Sequence, residues 1–309
     1  MIPYSLLTIT VLIALAGFLI LRQAVEERPA TGWHRLLLCV AIAIFLYLYG
    51  AWVFGSIFLK YIYAVCFVTL FTWGVGRRQY GLYKSTKAGK IVNIFFSLIL
   101  FTLSILYFTG TTGKPYGIAR LTLPFKYGLY FVLQGGKGLP TNIFHYGLNG
   151  AVYAMDIAKL NAYGNRASGI SSSLLKDYEI FNDTVYSPCN GLIKESADNN
   201  LDNIPPSRKR GPTNINHVLI ETDSMYVFMG HFKYQCVFVK EGQVVQTGQP
   251  LALAGNSGFS VEPHLHIQAH AKTNTGLSWY EEHPLWIEFD GKGYLLFETI
   301  AAANLRKMQ

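Results

Sequence analysis

The chain has 309 residues, 51% of them hydrophobic, and a formal net charge of +8. Ten of the 26 Lys/Arg residues but only two of the 18 acids, Glu26 and Glu27, fall in residues 1–114, so residues 115–309 are neutral. A basic groove for nucleic-acid phosphates is excluded by that distribution.

The first part of the chain is a series of apolar runs. Four predicted spans cover about Leu6–Leu21, Leu36–Phe54, Ile57–Val75 and Ile91–Phe108, each close to the roughly 20 residues that cross a hydrocarbon core. The first run has no basic flank before it and no small-residue cleavage site before Arg22, which argues against a cleaved signal peptide. The first loop carries Arg22, Arg28 and Arg35; the second, around Gly55 and Ser56, is uncharged; the third carries Arg77, Arg78, Lys84, Lys87 and Lys90. Positive loops stay on the cytoplasmic side, so everything after Phe108 is expected outside. Lys60, near the outer end of the third span, is expected to snorkel to the interface, and His34 to be interfacial. No chain of acids and no repeated broken helix suggests transport, so the spans read as an anchor in contact with membrane lipid.

From Thr109 onward the pattern changes. Short runs rich in Val, Ile, Tyr and Phe alternate with Gly, Pro and Asn turns: "TVYSPCNGLI", "HVLIETDSMYVFMGHF", "CVFVKEGQVVQTGQPLALAGNSG" and "HLHIQAHA". The period of two predicts an antiparallel β domain, with 159–180 and 196–214 as loops or insertions and no amphipathic helix before the extreme C-terminus. The basic cluster Arg208-Lys209-Arg210 reads as a solvated loop. Cys39 and Cys66 lie in apolar runs as small hydrophobes. A Cys189–Cys236 disulfide is open in an oxidising compartment, and no CxxC zinc motif is present.

Residues i and i+2 of a strand share a face. His264 and His266 therefore project side by side, with Leu265 directed oppositely. Upstream, "FHYGLNGAVYAMDIA" offers His145 and Asp156 on either side of a turn expected at Asn149-Gly150, and "YVFMGHFKY" offers His231. Zinc takes imidazole and carboxylate ligands, and a catalytic site keeps one position for water. His217 reads as exposed or structural, His270 as sharing the His266 face but too far along to bind the same ion, and His283 as a turn residue.

The segments "HYGLNGAVYAMDI", "MYVFMGHF", "VKEGQVVQTGQPLALAGNSG" and "PHLHIQ" occur in the order found in lysostaphin-like (LytM-type) zinc endopeptidases, and the chain resembles that family over roughly Phe144 to His270. The resemblance implies a mostly antiparallel β-sandwich of the duplicated-hybrid-motif type. It implies His145, Asp156 and His266 as zinc ligands, with His264 and His231 as the catalytic histidines beside them. It also implies a peptidoglycan peptide as substrate. The ligand His and Asp stand further apart in this sequence than in the better-known members.

The organisation expected is a four-helix transmembrane region over 1–110, a connector over 111–140, a zinc metallopeptidase β domain over 141–290 and a tail over 291–309. The resulting expectation is a multi-pass protein of the cytoplasmic membrane, its C-terminal domain facing the periplasm or exterior, with a membrane-protein partner left open. Other readings stay open: a silent wall-binding scaffold of the same fold, an outward-facing protein peptidase, or a carrier, since "VKEGQVVQTGQPL" resembles a lipoyl-domain hairpin, though with no Met-Lys-Met tripeptide.

Overall fold

The four apolar runs form four helices: α1 (Ile2–Glu26), α2 (Pro29–Tyr49), α3 (Phe58–Gly76) and α4 (Lys87–Thr109). By length and composition all four can cross a membrane. The computed structural model describes residues 2–77, 83–148, 150–207, 213–273 and 276–302. Arg78, Asn149 and the cluster Arg208-Lys209-Arg210 lie outside the described residues. The chain divides into residues 1–107 with 163–165, and residues 108–162 with 166–309.

The second helix stops earlier than its apolar run. At Gly50 the backbone N–H still donates to the Leu46 carbonyl at 2.9 Å, and the Trp52 indole N–H donates to that same carbonyl at 2.8 Å. A Cβ at Gly50 would lie 2.3 Å from that oxygen and 2.4 Å from the indole nitrogen. The turn therefore needs glycine, and a separate 3₁₀ turn, Trp52–Phe54, follows it. Gly17 serves α1 differently: a Cβ there would meet the Ile42 side chain at 3.1 Å, so its absence lets α1 and α2 approach closely.

Two polar residues of this unit depart from expectation. Lys60 is buried, with its ammonium 4.5 Å from the centroid of the Tyr47 ring; the aromatic face holds the cation inside the bundle, where snorkelling was expected. His34 is fully buried rather than interfacial. Asn93 donates to its Nδ1 at 2.8 Å, and its Nε2 faces Ser85 Oγ at 3.0 Å. That hydroxyl donates to buried Glu27 at 2.8 Å, and Arg35 Nε lies 3.0 Å from the same carboxylate. Four segments thus share one satisfied polar cluster, which a hydropathy window reads only as ends of spans.

The second unit begins with β1 (Ile118–Leu121), β2 (Leu129–Gln134), the one-turn helix α5 (Ile143–Tyr146) and β3 (Met155–Leu160). It continues through β4 (Thr184–Tyr186), β5 (Gly191–Ala197), β6 (His217–Glu221), β7 (Met225–Gly230) and β8 (Phe232–Val237). Then come β9 (Val244–Val245), β10 (Pro250–Ala254), β11 (Leu265–Ala271), β12 (Trp286–Phe289), β13 (Lys292–Gly293) and β14 (Thr299–Ala301). Eight strands form the main sheet in the order β14-β2-β3-β11-β7-β6-β5-β9, and β4-β10-β8 and β1-β12-β13 form two smaller sheets. Pairing is antiparallel except between β1 and β12. The segment expected as a connector thus supplies β1 and β2, and the expected tail supplies β13 and β14. α5 was not foreseen, because four residues are too few to show a 3.6-residue period. Cys189 and Cys236 are both free thiols, so the open disulfide is not formed.

One face of the main sheet is apolar. Val132, Ile157, Ile267, Val227 and Ile220 are fully buried on it, packed with Leu251 from the β4-β10-β8 sheet. Strict alternation along β11 sends Leu265, Ile267 and Ala269 into this core and leaves His266, Gln268 and His270 for the other face. Replacing Ile267 by alanine is expected to cost about 2–5 kcal/mol of stability, the usual range for such a buried truncation. Urea unfolding monitored by fluorescence would measure it, and metal content should stay unchanged because the opposite face of β11 is untouched.

Candidate metal centre

A single row of paired residues crosses the main sheet. Gln134 on β2 pairs with Asp156 on β3, Asp156 with His266 on β11, and His266 with Gly230 at the end of β7. The row brings Asp156 and His266 together from positions 110 residues apart. α5 then delivers His145 beside them. His145, Asp156 and His266 are the one group of described residues whose ligand atoms meet, all within 4.8 Å of one another. Asp156 Oδ1 lies 3.0 Å from His266 Nδ1 and 3.4 Å from His145 Nε2.

Hydrogen bonds on the far sides of the rings fix which nitrogen faces inward. Asn142 uses its amide N–H groups on the Val152 and Ala154 carbonyls, at 3.1 and 2.9 Å. Its Oδ1 is therefore the atom turned to His145 Nδ1, 2.8 Å away, and must accept. His145 is held as the Nδ1–H tautomer, with the Nε2 lone pair toward Asp156. On the other ligand, His266 Nε2 lies 3.0 Å from Gln268 Oε1. The Gln268 amide nitrogen faces His270 Nε2 at 3.4 Å, and His270 Nδ1 donates to the Glu282 carbonyl at 3.0 Å. Read back from that carbonyl, every role is set: His270 accepts from Gln268, Gln268 accepts from His266, and His266 turns its Nδ1 lone pair inward. Two inward imidazole lone pairs and one carboxylate are the donor set that divalent zinc takes, and the far-side partners are of the kind that orient metal-binding histidines.

His231 and His264 complete the cluster. Their ring centroids lie 4.5 Å apart, and His264 Nε2 is 3.5 Å from Asp156 Oδ1. Each ring is tied at Nδ1 to a backbone carbonyl, His231 to that of Ser257 at 2.7 Å and His264 to that of Glu262 at 2.8 Å. Both therefore offer Nε2 to the site. His231 sits at the turn after β7 with φ 67°, a left-handed backbone that L side chains seldom adopt.

The electrostatics follow from this packing. Burial raises the Asp156 pKa, but His145 and His264 outweigh it and hold the carboxyl well below its ordinary range. His231 is pushed well below the usual imidazole value, by burial first and then by repulsion from His264 and His266. His264 moves the other way: burial lowers it, and Asp156 more than offsets the burial. An ionised carboxylate ringed by imidazoles is a cation-seeking arrangement.

All five residues singled out in the sequence thus come together. The sequence reading missed Asn142, Gln268 and His270 as supports. Gln268 and His270 continue the His264/His266 alternation, and that spacing was the signal; Asn142 lies one helical turn before His145. His270 does not reach the ligand atoms, as expected, but connects to His266 through Gln268. Replacing Gln268 by leucine is expected to weaken zinc binding about 10–100-fold, the range for lost partners of metal-binding histidines. Competition titration with a zinc chelator would measure this; unchanged affinity would mean that the chain of contacts behind His266 does not orient it.

Residues 177–276 match the model of Peptidase family M23. That window includes His231, His264 and His266, and begins after His145 and Asp156. A protein of Haemophilus influenzae described as an uncharacterized metalloprotease is 43% identical over 53 residues, which cover 15% of this chain and 11% of that protein. The chain thus spans about a tenth of that relative's length. A zinc containing peptidase from Vibrio cholerae aligns at 17% identity and a TM-score of 0.27, covering 54% of this chain and 34% of that one. The catalytic domain of lysostaphin from Staphylococcus simulans aligns at 19% identity and a TM-score of 0.27, covering 45% and 79% respectively.

Proposed function

We propose that this chain, whose residues 177–276 match Peptidase family M23 and whose first part holds four apolar helices, is a membrane-anchored zinc endopeptidase that cuts peptide cross-links of peptidoglycan on the outer side of the cytoplasmic membrane. The observation that carries the reading is the convergence of His145, Asp156 and His266 with their outward nitrogens committed to fixed acceptors. Zinc held by these three residues would polarise a scissile carbonyl and make water acidic enough to attack near neutral pH. Two imidazoles and one carboxylate leave the ion a residual positive charge, which that chemistry needs.

The chain's own residues handle the proton. His231 and His264 keep their Nδ1–H groups on backbone carbonyls, so each turns its Nε2 toward the ligands. The ring that is neutral takes the proton of the attacking water on Nε2, and the other, protonated there, donates from Nε2 to the oxygen that becomes negative. Positioned proton transfer of this kind contributes about 10²–10⁴-fold. Burial around the five residues limits competing water and strengthens each of these interactions.

The reading is tested on the purified full chain. Zinc content near one ion per chain and release of cross-linked muropeptides into uncross-linked products are the expected results. His264→Ala should retain zinc and lose about 10²–10⁴ in kcat, whereas Asp156→Ala should lose the metal as well. A metal-free wild-type protein, or a zinc-loaded one inert on every defined muropeptide, would leave a tethered scaffold as the better description.

Sidedness is supported by the loop charges. Arg22, Arg28 and Arg35 flank one pair of spans, and Arg77, Lys84, Lys87 and Lys90 the other, while the short loop after Gly55 has none. A reporter enzyme active only outside the cytoplasm, fused after Gln309, should be active. Activity of a cytoplasmic reporter at that position would remove the wall as substrate.

A further inference from the structure

The two kinds of histidine in the cluster are held by different means. His266 belongs to β11 and is placed by register against Asp156. His264 precedes the strand, in residues 261–264, which lie outside any strand. Sheet pairing therefore does not place its ring. Its Nδ1 donates to the Glu262 carbonyl at 2.8 Å, which also accepts from Ser260 Oγ at 2.8 Å, and Ser260 Oγ lies 3.2 Å from the same ring nitrogen.

Glu262 is itself clamped. Its carboxylate receives two parallel bonds from Arg166, Nε to Oε1 at 2.8 Å and Nη2 to Oε2 at 2.8 Å. Arg166 Nη2 also donates to the Ile170 carbonyl at 3.1 Å. The two side chains are only 1% and 8% exposed. Withdrawing both charges from water is expensive, and a buried ion pair is seldom more stabilising than apolar residues of the same size. A planar, two-bond fork does, however, fix the position and rotation of the carboxylate it grips. Arg166 comes from the long segment between β3 and β4, the insertion noted in the sequence.

We propose that Arg166 is a positioning residue for His264: through Glu262 it sets the carbonyl that aims the imidazole, which makes the β3–β4 insertion part of the peptidase apparatus. The proposal rests on the catalytic role given to His264 above. It predicts a specific pattern of loss. The metal ligands are held by the sheet and by α5, so zinc binding is independent of the clamp. Substrate binding is likewise independent. The proton-transfer step is not.

The test uses the full chain in lipid nanodiscs and two variants. Arg166→Met/Glu262→Leu removes both charges together, so no lone charge is left buried; Arg166→Lys keeps the charge and loses the fork. Bound zinc, KM and kcat on a cross-linked muropeptide are measured, with ¹⁵N spectra of histidine-labelled protein in the zinc-loaded state. The double variant should keep its zinc and hold KM within about two-fold while kcat falls about 10²-fold, the scale of a misplaced group. Its His264 ring should change from one tautomer to a mixture, and Arg166→Lys should lie between. An unchanged kcat with an unchanged His264 signal overturns the proposal, as does a joint fall of zinc, KM and kcat, which would make the pair merely structural. If the double variant does not fold, Arg166→Lys decides by the same split. If zinc-loaded wild type cuts nothing, the peptidase reading fails, and the tautomer signal still decides whether Arg166 orients His264.

Discussion

The register between β3 and β11 sets His266 directly opposite Asp156. A one-residue slip of β11 would turn His266 into the apolar core and bring Ile267 out of it. The core and the metal centre are therefore two faces of one constraint. Burial of Ile157, Leu265 and Ile267 drives the strands into register, and the register then assembles the carboxylate and imidazole with no further adjustment. His145, arriving on α5, is the one ligand that the sheet does not place, and it is the one with a dedicated asparagine behind it.

Around that core of ligands the protein uses short, fully occupied hydrogen-bond chains. The chain from His266 through Gln268 and His270 ends on a backbone carbonyl, and a carbonyl cannot take up a proton at ordinary pH. Such a chain orients a ring without offering an exit for its proton. His231 and His264 also end on carbonyls, and their other nitrogens face the cluster. The same device thus fixes the His266 ring through a chain of side chains and the other two directly on the backbone.

Much of this was legible in the sequence, for identifiable reasons. Four apolar runs announce four helices because nothing else satisfies a backbone in hydrocarbon. The alternation in "HLHIQAHA" announces a strand with two unlike faces. What escaped was whatever depends on contacts between distant residues. Arg166 and Glu262 are separated by 96 positions, and neither has a motif. The cluster of Glu27, His34, Arg35, Ser85 and Asn93 is drawn from four segments, so its members looked like unrelated residues at the ends of spans. α5 was invisible because one turn has no periodicity. The early end of α2 turned on the space around Gly50, which composition cannot report.

His231 holds its imidazole at a backbone angle where asparagine or glycine would sit with less strain. Positions of this sort cost folding about 1–3 kcal/mol for an ordinary side chain. The consequence is that conformational preference and chemical identity pull in opposite directions at this one residue. A selection for stability alone, applied to this chain, would be drawn to replace the ring there, and the protein that emerged would fold better with one fewer imidazole in the candidate metal centre.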